Sequence, residues 1–280
     1  MTTKPDRIIN VHGHLRHDQN IPARIKLWES WNVEKFICLC LDQRWASKGY
    51  FTNEDYIACR SKLGDTIIGF ASVGIHDSEG IDDGKDIERY KNQGFTGLKF
   101  HTPSRPLNDE IYFPIYEKAQ ALNMPMLIHT GFVASIESDG HAGVDSMNMR
   151  PYTLDRVARV FPDLKIIGAH LGSPHHDEAL QMIHGHKNIY FDFSGGGGSK
   201  RHVRKILSAM LPHPALKTDM TNPQENPALS WFEKLCFGTD NPEPDIWVPA
   251  SIEIMDRLEI DQPRRDQFFY GNAASILDIE

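Results

Sequence analysis

Cysteine is scarce and unpatterned in this 280-residue chain: Cys38, Cys40, Cys59 and Cys236 include no CxxC pair, which excludes a disulfide-dense small domain. Cys38 and Cys40 alternate with apolar residues in a strand-like run, the usual setting of buried free thiols. Long apolar stretches are also missing. Nowhere do about 18 apolar residues stand together, so no membrane-crossing helix is expected, and the opening MTTKPDRIINV has no apolar signal core. A cytoplasmic protein with reduced thiols follows as the expectation. Basic excess is absent too: the formal charge is −8 and Lys and Arg are scattered, so no nucleic-acid footprint is expected. Finally, no GxGxxG follows the first apolar run, which counts against a doubly wound dinucleotide-binding sheet.

What the chain does contain is a repeated unit, a short apolar run followed by a turn and an amphipathic stretch. The runs occupy residues 7–11, 35–41, 67–75, 97–100, 124–128, 164–169, 188–193 and 234–237. Each is apolar nearly throughout, as strands covered on both faces should be. Helix-like segments lie between them at 23–31, 53–63, 82–93, 109–122, 154–161, 176–186, 200–211 and 247–258. The second strand-helix connection leads to a helix expected to begin on an Asn53 cap, with Glu54 and Asp55 in its first turn. Eight alternations predict a parallel sheet closed into a single (β/α)8 TIM barrel, one α/β domain over residues 1–280. Two connections are long: 131–152, after the fifth run, and 212–227, before the eighth. The first follows the C-terminal end of a strand and is placed to cover an active site; the second is read as a passive connection.

Metal-binding side chains recur where the runs end. The first ends Asn10-Val11-His12-Gly13-His14; residues two apart share a strand face, so His12 and His14 can grip one ion. The fifth ends at His129, the sixth carries His170, and the eighth ends Gly238-Thr239-Asp240. A lone histidine in such a place is usually packing. Four such tips converging on one barrel mouth are different, because buried imidazoles and a carboxylate without an ion would be costly. The three-nitrogen-plus-carboxylate set suits zinc, with manganese, iron or cobalt able to use the same cage.

These stretches carry a resemblance. IINVHGH, GLKFH, MLIHTG, FPDLKIIGAHLG, IYFDFSG, CFGTDNP and FFYGNAASIL together resemble the amidohydrolase superfamily, in particular its amidohydrolase-related branch. That branch groups metal-dependent hydrolases with nonoxidative decarboxylases such as aminocarboxymuconate-semialdehyde decarboxylase. The resemblance spans nearly the whole chain. It implies metal ligation by His12, His14, His129 and Asp240, with His170 beside the metal-bound water. It further implies Asp240 as the group that takes a proton and returns it to the leaving group. Lys99 and His101 share an inward face of the fourth strand. One divalent ion is the reading adopted, with Lys99 uncarbamylated and serving structure or substrate binding. A second ion on a carbamylated Lys99, His129 and His170 is the alternative.

Arg150 in the long fifth loop is a candidate clamp for a substrate carboxylate, and His175 a candidate pocket lining. Arg44, which with Asp42 follows the second run, is a second such clamp candidate, although either arginine alone reads first as solvated surface; Trp45 reads as core within reach of substrate. The glycine run 195–198 reads as a pocket rim. The leading expectation is a hydrolase that cleaves an amide, ester or lactone of a small organic acid through a metal-activated water. A decarboxylase on the same ligands is the alternative, and a catalytically dead binding barrel the reading from another class. The expected partner is a small, carboxylated substrate, and the resemblance also allows a homodimer.

Overall fold

A computed structural model gives the structure of the protein and describes residues 4–78, 80–133, 143–195, 200–210, 227–241 and 243–279. Eight parallel strands form one sheet in the order β1 (Ile8–Gly13), β2 (Val33–Leu39), β3 (Ile67–Ser72), β6 (Gly97–Phe100), β7 (Met126–Ile128), β8 (Ile166–Gly168), β9 (Ile189–Asp192) and β10 (Leu235–Cys236). Neighbours follow one another around the ring, and the ends meet at a bridge between Gly13 and Asp240. Val11 N–H donates to Phe237 O at 2.9 Å and Asp240 N–H to His12 O at 2.7 Å across that seam. The result is the nearly closed barrel expected from the eight runs.

Helices clothe the outside: α1 (Ile21–Ser30), α2 (Gln43–Ala46), α3 (Asn53–Leu63), α4 (Lys85–Asn92), α5 (Phe113–Ala121), α6 (Leu154–Val160), α7 (His176–Gly185), α8 (Lys200–Met210), α9 (Pro227–Phe232), α10 (Pro244–Arg257), α11 (Gln262–Asp266) and α12 (Asn272–Leu277). No described helix is long and apolar enough to cross a membrane.

Alternation sorts each strand into two cores. Phe36, Cys38, Leu98, Phe100, Met126, Ile128, Ile166 and Phe191 pack outward against the helices. Ile37, Leu39, Phe70, Leu127, Ile167 and Cys236 fill the barrel interior, where α12 adds Ala273, Ala274 and Ile276. Above this apolar plug the same inward columns turn polar, at Lys99, His129, Asp192 and Asp240. Apolar packing therefore forms the floor on which the polar mouth stands.

Local chemistry moved several boundaries. The cap of α3 is Thr52, not Asn53: Thr52 and Asp55 bond reciprocally as a capping box. Asn53 instead clamps Ser72, donating to its carbonyl at 2.9 Å and accepting from its amide at 2.8 Å. α4 begins at Lys85 rather than residue 82, because Asp82 and Asp83 accept from the amides of Gly84 and Lys85 in a turn with Gly84 at φ 84°. α1 starts earlier than expected, behind an Asn20 cap that accepts from Ala23 N–H. The run at 67–75 is not one strand: β3 stops at Ser72, and β4 (Ile75–His76) pairs antiparallel with β5 (Gly80–Ile81) in a small hairpin. All four cysteines are free, with three of them buried. Residues 134–142, 196–199 and 211–226, which hold part of the first long connection, nearly all of the second and most of the glycine run, lie outside the described residues.

Candidate metal centre

Two histidines from β1 and its following turn set the geometry. His14 places Nδ1 2.9 Å from the Leu39 carbonyl. A carbonyl only accepts, so Nδ1 carries the hydrogen and Nε2 keeps its lone pair. His12 places Nδ1 2.9 Å from Asp192 Oδ2, which fixes the same tautomer. Both Nε2 atoms then face one oxygen of Asp240, at 3.7 Å from His12 and 3.6 Å from His14. These distances are too long for hydrogen bonds, and burial holds His14 neutral, lowering its pKa to about 3. Three electron-rich atoms thus converge with no proton between them. A cation relieves that arrangement, so the donor set fits a divalent metal.

Asp192 is the residue the sequence reading passed over. It is fully buried, and Oδ1 accepts from Ser194 N–H at 2.8 Å and His170 N–H at 3.2 Å while Oδ2 holds His12. Burial pushes its carboxyl up, but His12 and these donors outweigh that and keep it ionised. His12, His170 and Asp192 form a second cluster whose ligand atoms lie within 4.8 Å of one another, beside His12, His14 and Asp240. Both Asp192 oxygens are already engaged, so it orients His12 rather than offering itself. The signal was present in the sequence: in IYFDFSG, Tyr190, Asp192 and Ser194 share one face, with Asp192 ending the strand.

His129 stands outside both clusters. Its Nε2 is buried and without a hydrogen-bond partner among the described residues, and its ring lies 5.0 Å from that of His170 and 5.0 Å from that of His101. His101 is buried, its Nδ1 also unpartnered among the described residues, and it packs edge-on against Trp45 at 4.6 Å. Burial lowers the pKa of both rings. His170 is lowered to about 4 by burial and then by His12, and its Nδ1 sits 3.2 Å from the Ser194 carbonyl. Lys99 is 1% exposed and its Nζ has no hydrogen-bond partner among the described residues. Burial lowers it to about 8, while Asp240 and Asp192 oppose the shift. Burial acts to raise the carboxyl of Asp240, yet His170, His12, His14 and Lys99 together hold it low.

Backbone strain concentrates at these tips. Thr102, His170, Leu171 and Asp240 all adopt positive φ without being glycine, at 54°, 60°, 46° and 65°. Such conformations cost about 1–3 kcal/mol each in the absence of compensation. At Gly195 and Gly238 the site needs a missing side chain: an added Cβ would lie 2.9 Å from His170 Nδ1 and 2.9 Å from His12 Cβ, respectively.

A cavity of ≈ 320 Å³ opens above this floor, reaching Trp45, Tyr50 and Phe132 on its walls and His202 and Lys205 from α8. His12, His14, Lys99, His101, His129, His170 and Asp240 all line it. Arg150 and His175, expected at the mouth, line a neighbouring groove instead. Arg150 is ion-paired with Glu178 of α7, so its guanidinium is already matched. Asp42 and Arg44 are not solvated: they pair with each other at 2.7 Å with little side-chain exposure, and Arg44 also donates to Thr102 Oγ1 at 2.9 Å. One further tie supports the centre from behind. Buried Arg24 donates to the His14 carbonyl at 3.0 Å and pairs with Glu243, which also accepts from Trp28 Nε1 at 2.8 Å.

Comparison with known proteins places this centre in a lineage. The amidohydrolase family model matches residues 42–279. The chain belongs to the amidohydrolase family. Its fold is similar to that of 2,6-dihydroxybenzoate decarboxylase from Rhizobium, at 14% identity and a TM-score of 0.58 over 94% of this chain and 90% of that one. It is similar to 5-carboxyvanillate decarboxylase from Novosphingobium aromaticivorans, solved with manganese and 4-hydroxy-3-methoxy-5-nitrobenzoic acid, at 17% identity and a TM-score of 0.56 over 92% and 80%. It is also similar to 4-oxalomesaconate hydratase from Rhodopseudomonas palustris, at 17% identity and a TM-score of 0.57 over 92% and 80%. At such identities the likeness is one of fold. His12 and His14 precede the family match, so their place at the centre rests on the geometry above.

Proposed function

We propose that this amidohydrolase, acting as one domain, is a metal-dependent nonoxidative decarboxylase of a small hydroxylated aromatic acid. The hydrolase expected from sequence thereby becomes the alternative. The observation that carries the choice is Lys99, a buried amine with no hydrogen-bond partner among the described residues, on the floor of an aromatic-walled cavity. With its pKa at about 8 it is largely an ammonium at neutral pH, and a buried cation beside the histidines calls for an anionic ligand. A reacting carboxylate seated at Lys99 meets that need, whereas the carbonyl of an amide or lactone brings no charge to it. The two decarboxylases among the similar folds act on carboxylated aromatics by their names, which supports the same direction.

His12, His14 and Asp240 would hold one divalent ion, with the open Nε2 of His129 as a further donor; zinc suits this set, and manganese accompanies one similar fold. When bound, the ion supplies a Lewis acid that draws anionic oxygens together and withdraws charge from them. The side chains do the rest. Lys99 receives the carboxylate, and Trp45 and Tyr50 wall the ring. Asp240, ionised at rest, accepts the proton of a hydroxyl beside the carboxylate and passes it to the ring carbon that bears that carboxylate. The carbon–carbon bond then breaks, its electron pair restores the ring, and carbon dioxide leaves. Water returns a proton to the hydroxyl, so one proton is consumed per turnover. Neutral His170, with Nδ1 tied to Ser194, turns Nε2 to orient the hydroxyl.

The test is carbon dioxide release from 2,6-dihydroxybenzoate and 5-carboxyvanillate by zinc- and manganese-loaded protein, run beside a panel of lactones and amides. Decarboxylation that Lys99→Met abolishes, with metal content unchanged, supports the reading. Hydrolysis without decarboxylation overturns it.

A further inference from the structure

The cavity contains a second cation that the chemistry above does not use. Lys205, on α8, is exposed at the rim. It also lines the neighbouring groove of Arg150, His175, His176 and Glu178, and among the described residues it alone is shared by the two. Cations outside the cavity are matched: Arg150 pairs with Glu178, Arg44 pairs with Asp42, and Lys48 lies 4.5 Å over the Trp45 ring. Lys205 has no ion-pair partner among the described residues. The acids that line the groove are Asp177 and Glu178, the second of which already serves Arg150.

A buried ammonium and an exposed one both line the cavity, whose other lining residues include the aromatic side chains of Trp45, Tyr50 and Phe132. Its ≈ 320 Å³ accommodates a single ring with short substituents and little more. Aromatic walls favour a planar ligand, and two separated cations favour a planar ligand with an anionic group at each end.

We propose that Lys205 is a specificity residue that receives a second anionic substituent, making the preferred substrates small aromatic diacids. This rests on the decarboxylase reading, which seats the first carboxylate at Lys99. A rim ion pair is exposed and screened, so the preference is worth a factor of about three to ten rather than many hundreds.

Binding, not turnover, tests it. Isophthalate, with two carboxylates, and benzoate, with one, are titrated calorimetrically into the zinc-loaded protein at low and at 0.5 M salt. The native protein should favour isophthalate about three- to tenfold at low salt, with the gap narrowing at high salt. Lys205→Met should remove the gap and Lys205→Arg should keep it, while benzoate affinity stays unchanged in both. Equal binding of the two acids by the native protein, loss of both affinities together in Lys205→Met, or binding of neither acid overturns the proposal. Lys205 is exposed, so these variants should fold, and their Tm values check that. Carbon dioxide release is read separately: intact diacid preference without release sinks the decarboxylase reading and leaves Lys205 in place as a diacid-selecting residue.

Discussion

Replacing Asp192 by asparagine should weaken metal binding without unfolding the barrel, and the direction follows from which oxygen does what. Oδ1 accepts two backbone N–H groups, from His170 and Ser194, so that position must remain an oxygen. In Asp192→Asn the amide nitrogen is therefore forced onto the site of Oδ2, facing His12 Nδ1. An NH2 group cannot accept a hydrogen, so the His12 ring must surrender its Nδ1 proton and carry it on Nε2 instead. That nitrogen then presents a hydrogen to the ion rather than a lone pair. Losing an orienting partner of this kind costs roughly 10- to 100-fold in metal affinity, about 1.4–2.7 kcal/mol. The metal-free fold should lose some stability, because its surroundings favour the ionised carboxylate, while the two backbone N–H bonds to Oδ1 are kept. Chelator competition gives the zinc Kd, and thermal melts of the stripped protein give the stability. An unchanged Kd would refute the argument about His12; a collapsed Tm would show that Asp192 serves the fold first.

Other expectations follow from the same centre. Elemental analysis of the purified protein should find about one equivalent of a transition metal, reduced in Asp240→Asn; two equivalents would promote Lys99 to a bridging ligand. Arg24→Met should cost about 2 kcal/mol, or roughly 5 °C in Tm, because it leaves Glu243 without its cation, and it should lower zinc affinity through the released His14 carbonyl. A Tm change with identical zinc affinity would confine Arg24 to the fold. Acid should also destabilise the metal-free protein. Burial lowers His14 to about 3 and His170 to about 4, against 6.5 in the unfolded chain. Both folded values lie below the unfolded one, so below pH 6.5 the unfolded chain binds protons that the folded chain excludes. Stability is complete above that pH and falls as pH drops from about 6.5 towards 4, which urea midpoints at pH 8, 6.5 and 4.5 would register. A flat profile between 6.5 and 4.5 contradicts it.

The barrel was legible because its strands are buried on both faces and so read as apolar runs, each closed by a polar tip. The convergence of His12, His14, His129, His170 and Asp240 on one cavity needed only that closure. Three things were illegible for physical reasons. The β4–β5 hairpin has two-residue strands, too short to show a period. Arg150 and His175 were near the mouth in sequence, but Arg150 found a counter-ion 28 residues away on α7, a tertiary pairing that no local pattern announces. Asp192 sat in view within IYFDFSG, yet a carboxylate that orients a histidine carries no spacing rule relative to residue 12, 180 positions earlier. Asn53 and Thr52 show the same limit on a smaller scale, since either could cap a helix until Ser72 claims one of them.

The seam between β1 and β10 has a consequence for how the molecule holds itself shut. Elsewhere around the ring, adjacent strands share a ladder; here the join consists of the Gly13–Asp240 bridge and a few amide bonds. His12 and His14 stand on one lip of that join and Asp240 on the other. An ion gripping all three would act as a clasp between the first and last strands of the barrel, resisting any motion that parts them. The price of emptying the site would then be mechanical as well as chemical. Hydrogen exchange should quicken first at Val11, Thr239 and Asp240, the amides that knit the two lips, and a reagent that strips metal would double as one that unbuttons the fold.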